Sequence, residues 1–91
     1  MIYLVCYDIE DDRERNRVAR TLLRHGRRVQ YSVFELHRMA PAARKALAAE
    51  LAESVSDPAG IRFYRLTLDG IEDSSDAGGN PLGRRPLMHI V

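Results

Sequence analysis

Ile2-Tyr3-Leu4-Val5-Cys6-Tyr7-Asp8-Ile9 is the stretch that decides how the rest of the chain is read. Seven of its eight residues are apolar or aromatic, and β-branched and aromatic types fall on both parities of an extended backbone. A strand over 2–9 therefore has two faces to cover. A helix pattern follows at 11–25. Asp11 or Asp12 can cap it, acidic residues suit its positive end, and Gly26 can end it. Val18, Ala19, Leu22 and Leu23 form one side. Arg13, Arg17, Arg20, Arg24 and Arg27 recur at spacings of 4, 3, 4 and 3, which places them on the opposite side if helical geometry persists to Arg27. Arg15 breaks that stripe and lies on the apolar side, in the first turn, beside the end of the strand.

Working outward, residues 28–36 read as strand, either whole or split, and Pro41 can open a second helix over about 41–54 with Ala43, Ala46, Leu47 and Leu51 at core spacing. Asp57-Pro58-Ala59-Gly60 is a turn, and residues 61–68 are a further strand. Residues 69–85, rich in Asp, Ser, Gly and Pro, read as a flexible loop; the apolar end Pro86–Val91 reads as a short strand. This order predicts an α+β, ferredoxin-like βαββαβ sandwich. Two helices cover one face of such a sheet. The apolar residues of the other face predict a homodimer with two sheets packed face to face.

Ninety-one residues suit one domain with a thin core. An apolar fraction of 45% argues against wholesale disorder, and no apolar run approaches the roughly 20 residues of a membrane span. The N-terminal stretch has no basic leader and is not a signal peptide, so a cytoplasmic protein is expected. One cysteine excludes an intrachain disulfide and a zinc-finger ligand set. Net charge is +1, but its distribution is uneven: 13 of the 14 basic residues are Arg, and positions 13–28 hold seven Arg and one Glu. Asp8, Glu10, Asp11 and Asp12 stand directly before them. Such segregation suits a face that binds a polyanion.

The candidate chemistry is narrow. His25, His37 and His89 have no ligand spacing, Ser32 lacks elbow glycines and a base, and Gly78-Gly79 lacks the Walker lysine. Asp8, at the C-terminal end of a strand, reads either as a loop carboxylate partnering Arg15 or as a hard-cation ligand. Mg²⁺ takes one or two carboxylates and keeps several waters, and two copies of Asp8 across a twofold axis would make a usable site. The Arg stripe is either a solvated helix face or a phosphate-binding one. Tyr31, Phe34, Phe63 and Tyr64 are placed to stack on bases or to pack in the core.

Tyr3–Ile9, the helix carrying Arg15 and Arg17, the run Gly26-Arg27-Arg28-Val29-Gln30-Tyr31-Ser32-Val33-Phe34-Glu35 and Arg62–Leu66 together resemble the CRISPR-associated protein 2 family, the small dimeric subunit of spacer acquisition. The resemblance implies a core over 1–68, and a 69–91 segment whose C-terminal strand adds to the partner subunit's sheet. It implies that Asp8 is the catalytic acid and the ligand of Mg²⁺ or Mn²⁺ at the dimer interface. Arg15, Arg17 and Arg28 match its basic positions and Phe34 its aromatic; Arg20, from the stripe, joins them as a nucleic-acid-binding residue. The implied function is a metal-dependent endonuclease on RNA or double-stranded DNA, acting in spacer acquisition with the CRISPR integrase subunit as a partner. The alternatives are a non-catalytic dimeric scaffold bridging duplex DNA and the integrase, or a ferredoxin-like ribonuclease toxin.

Overall fold

Alternation along the first strand sets the layers of the molecule, which a computed structural model describes over residues 2–82. β1 (Ile2–Tyr7) turns Tyr3, Val5 and Tyr7 into the main core. There they meet Val18, Ala19 and Leu22 of α1 (Asp12–Leu23) and Leu47 and Leu51 of α2 (Pro41–Glu53). Asp11 caps α1 by accepting from the Glu14 backbone N–H at 2.9 Å. Leu23, expected on the apolar side, is 54% exposed.

The helix closes earlier than the arginine spacing implied. The Gly26 N–H donates to the Leu22 carbonyl at 2.9 Å, and Arg27 begins β2 (Arg27–Gln30). Arg27 therefore leaves the stripe, which keeps Arg13, Arg17, Arg20 and Arg24. Gly26 serves by its missing side chain: a β-carbon there would collide with the Glu35 carbonyl oxygen and the Leu36 side chain of β3 (Val33–Leu36). The run 28–36 is thus a hairpin, turning at Tyr31-Ser32, with an irregularity in register between Arg28 and Gln30.

In α2, Ala43 and Ala46 face solvent. Their expected place on the core side is taken by Arg44, half-buried, with its guanidinium carbon 5.8 Å from the Tyr3 ring and 5.9 Å from the Phe63 ring. The long aliphatic stem covers apolar surface that an alanine could not reach. A short 3₁₀ turn, Pro58–Gly60, leads into β4 (Ile61–Leu66).

The sheet order is β2-β3-β1-β4, antiparallel throughout, which is the ferredoxin-like α+β arrangement expected. On the face away from α1 and α2, Cys6 pairs with Val33 and Arg62, and Leu4 with Glu35 and Tyr64. The strand expected over 61–68 ends at Leu66, and the stretch read as a loop from 69 lies partly in α3 (Leu68–Glu72), whose Ile71 is buried, before a turn closed by the Ser75–Pro81 bridge. Ile71 and Leu82 join Ile2, Leu4 and Leu66 around a cavity of about 200 Å³, so this segment covers one end of the outer face. Beyond it, Leu4, Cys6, Arg27, Val33, Glu35 and Leu82 line an open groove of about 850 Å³. The expected strand at 86–91 lies outside the described residues.

Gly26→Ala will lower stability by roughly 1–3 kcal/mol, because the added methyl group has only backbone and a buried leucine to displace. Urea denaturation checks this: the midpoint falls while the slope is unchanged.

Candidate metal and nucleic-acid site

Asp8 follows β1 directly, and its backbone is clamped from two sides. The Tyr7 N–H donates to the Ser32 carbonyl at 3.1 Å, and the Asp8 N–H to the Gly60 carbonyl at 2.9 Å. Gly60 is required for the second contact, since a β-carbon there would lie 2.8 Å from the Asp8 carbonyl oxygen. The carboxylate itself is exposed and has no side-chain partner among the described residues. It stands on the rim shared by two depressions. One, of about 370 Å³, is lined by Asp8, Glu10, Asp11, Glu14, Ser56 and Asp57. The other, of about 440 Å³, is lined by Cys6, Tyr7, Asp8, Asp57, Gly60 and Arg62.

Most of the neighbouring acids hold the fold. Asp11 caps α1, Glu14 accepts from the Ser56 N–H and hydroxyl, each at 2.8 Å, and Asp57 accepts from the Ala59 N–H at 3.1 Å. Among the described residues, no group of three or more His, Cys, Asp or Glu side chains could hold a metal ion. Asp8 is the right donor type for Mg²⁺ or Mn²⁺, a hard carboxylate oxygen with room for water. One chain supplies too few such oxygens to hold the ion alone.

The arginines divide into those that build and those that are free. Arg15, 24% exposed in its side chain, donates to the Ile9 carbonyl at 3.0 Å, the Glu10 carbonyl at 3.2 Å, the Tyr31 hydroxyl at 3.2 Å and the Asp12 carboxylate. The Tyr31 bond first, and Asp12 second, raise its pKa above the ordinary arginine value. A guanidinium has five N–H groups, so Arg15 is nearly saturated and ties the strand-to-helix turn to the hairpin turn. Arg17 donates to the Ser54 carbonyl at 2.9 Å and fastens α1 to the end of α2. Arg24 pairs with Glu50 at 2.8 Å.

Arg20 and Arg28 are exposed and have no hydrogen bond or ion pair among the described residues. Arg28 is stacked, with its guanidinium carbon 5.1 Å from the Phe34 ring centroid and 5.7 Å from that of Tyr31. Phe34 has no exposed surface and packs on Tyr7 with ring centroids 6.2 Å apart. It lies under Arg28 in the core, where no base can reach its face. The structure thus gathers Arg15 and Arg28 around Tyr31, with Phe34 beneath Arg28, and sets Arg17 and Arg20 along α1.

Three residues near this region had no role assigned from sequence, or a different one. Gly60 was legible as part of a turn, but its approach to Asp8 was not. Tyr31, read as a base-stacking or core aromatic, is the hub of the arginine cluster. Arg62 sits on the outer face in the depression below Asp8, where it donates to the Tyr64 hydroxyl at 3.3 Å. That bond raises the Arg62 pKa.

The family model described as CRISPR associated protein Cas2 matches residues 1–73. The chain is 35% identical over 95 residues to the CRISPR-associated endoribonuclease Cas2 3 of Synechocystis sp., covering 99% of this chain and 98% of that protein. In structure it is similar to a chain of a partial Cas6-RT-Cas1–Cas2 complex, with TM-score 0.82 and 35% identity, covering 89% of this chain and 94% of that one. It is also similar to Streptococcus pyogenes Cas2, with TM-score 0.64 and 32% identity over 74% of this chain and 87% of that one. Among the described residues no helix is long and apolar enough to cross a membrane. The pattern carried by the first strand, the Arg-rich helix and the hairpin, and the sheet built from them, agree with the family match and with these relatives: the chain belongs to the CRISPR-associated Cas2 family.

Proposed function

We propose that this protein is a CRISPR-associated, metal-dependent endonuclease that hydrolyses phosphodiester bonds in RNA and acts in spacer acquisition. The observation that carries this reading is the free, exposed Asp8 carboxylate on a backbone clamped between Gly60 and the hairpin turn. A relative spanned almost end to end bears the name endoribonuclease. Two copies pair through their outer sheet faces, around Leu4, Cys6 and Val33, and bring their Asp8 carboxylates to one cation. A bound Mg²⁺ there supplies charge neutralisation on the scissile phosphate and a more acidic water. Asp8 holds the ion's position, Arg15 keeps the Ile9-Glu10 turn in place, and Arg28 and Arg20 bind flanking phosphates.

A second reading, a non-catalytic dimeric scaffold bound to duplex DNA and the CRISPR integrase subunit, is favoured by the likeness to a chain solved in a complex containing Cas1. The scarcity of a general base among the described residues supports it too. His37, only 9% exposed in its side chain, is paired with Glu35 on the outer face. Membership of the family removes the grounds for the toxin alternative.

Asp8→Asn, nearly isosteric, will reduce Mg²⁺-dependent RNA cleavage about a hundredfold or more and leave RNA binding intact. Cleavage at the wild-type rate would remove Asp8 from the chemistry and leave the scaffold. Leu4→Arg, which puts a charge at the centre of the outer face, will convert a dimer to a monomer in light scattering and abolish cleavage. A wild-type chain that is monomeric at micromolar concentration overturns the shared cation site. Arg20→Ala and Arg28→Ala will each flatten the slope of log affinity against log salt by about 0.7 for single-stranded RNA. Arg17→Ala, which cuts a tie to α2, will act chiefly on the melting temperature.

A further inference from the structure

Tyr31 occupies the turn between β2 and β3, is 66% exposed, and is fixed at both ends. Its carbonyl accepts from the Tyr7 hydroxyl at 3.3 Å, and its hydroxyl accepts from Arg15 Nε at 3.2 Å. The ring lies within 6.0 Å of the Arg15 guanidinium carbon and 5.7 Å of that of Arg28. A large exposed aromatic in a hairpin turn is unusual, since such turns favour Gly, Asn, Asp and Ser. Here a side chain of β1 holds its backbone carbonyl, one of α1 holds its hydroxyl, and the ring is presented to a cation on β2.

We infer that Tyr31 is a positioning residue that holds Arg28 for the phosphodiester backbone of RNA; this rests on the reading of Arg28 as a phosphate contact. Four observations converge. Arg28 is within cation–π distance of two rings, the buried Phe34 beneath it and the exposed Tyr31 beside it. A contact with ring faces takes up none of the N–H donors of a guanidinium, so Arg28 keeps the groups that bidentate phosphate binding needs. Among the described residues no carboxylate is paired with Arg28: Glu35 bonds to His37, and Asp12 is bound to Arg15. Finally, Arg15 shares the ring, so a second positive charge stands near the same point and favours an anion there.

The energetic logic is preorganisation. An unrestrained arginine loses rotamer freedom when it grips a phosphate, and a side chain already held between rings loses less. Removing the ring should therefore weaken binding without removing a phosphate contact. Removing Arg28 should do both. The two changes act through one contact, so they should not add.

Binding of a labelled single-stranded RNA oligonucleotide, measured over a salt series, separates these effects. Tyr31→Phe keeps the ring and loses only the bond to Arg15; it should bind within about twofold of wild type. Tyr31→Leu keeps apolar bulk but no ring; it should bind about three- to tenfold more weakly with the salt slope unchanged. Arg28→Ala should bind about tenfold more weakly with the slope flattened by about 0.7. In the Arg28→Ala background, Tyr31→Leu should cost nothing further. Wild-type binding by Tyr31→Leu, or an undiminished loss in the double variant, overturns the inference and leaves the phosphate role of Arg28 standing. Wild-type binding by Arg28→Ala overturns both. Far-ultraviolet circular dichroism and the melting midpoint of each variant establish that the folded chain is being compared.

Discussion

The site depends on hydrogen bonding on both sides of β1. As an inner strand of a four-stranded sheet it is paired with β3 on one side and β4 on the other. The pairing continues past the strand proper, through Tyr7 to Ser32 and Asp8 to Gly60. A carboxylate at the frayed end of an edge strand would sample many positions. Held between two neighbours, Asp8 has a fixed backbone and a free side chain, the combination a cation ligand requires. Gly60 makes this possible, because any larger residue would push the 3₁₀ turn away from the Asp8 carbonyl.

The arginines show how one residue type does two jobs. Arg15, Arg17 and Arg24 spend their N–H groups on carbonyls and carboxylates of the fold. Arg28 spends none and is oriented by rings instead. Hydrogen bonds consume the groups that would recognise a phosphate; stacking preserves them. Counting arginines along α1 overstates the binding surface, because several of them are occupied. Their partners, rather than their spacing, decide which are available.

Much of the fold was legible from side-chain periodicity. β1 and α1 follow from a run of β-branched and aromatic residues, a capping aspartate and a closing glycine; 28–36 was legible as strand, whole or split, but the start of β2 at Arg27 was not. α2 was readable as a helix, but not in its rotation. In an alanine-rich segment, small residues contrast too little to mark a buried face, and Arg44 covers the core with its stem. α3 was hidden because Leu68-Asp69-Gly70-Ile71-Glu72 is short and contains glycine, and is held by Thr67 capping the Gly70 N–H at 3.1 Å and by the burial of Ile71. At the site, Asp8 was legible as a strand-end acid. The burial of Phe34 was one of two readings, since in the run Tyr31-Ser32-Val33-Phe34-Glu35 an aromatic reads the same whether it faces solvent or core.

The outer face carries the remaining constraint. Leu4, Cys6 and Val33 are only partly covered, yet they sit on the central strands where a sheet is usually shielded on both sides. Among the described residues, Ile71 of α3 and Leu82 close over the end near Ile2 and Leu66, while Ser75, Asp76 and Ala77 of the following turn stand along the side of the open groove that holds Cys6 and Val33. Among the described residues, the open part therefore includes Cys6, two residues before Asp8. Whatever shields Leu4, Cys6 and Val33 must also approach the rim on which Asp8 stands. The second copy proposed above would satisfy both demands at once, removing apolar surface from water and adding the oxygen ligands that one chain lacks. Under that proposal the association that completes the core and the association that completes the site would be the same event.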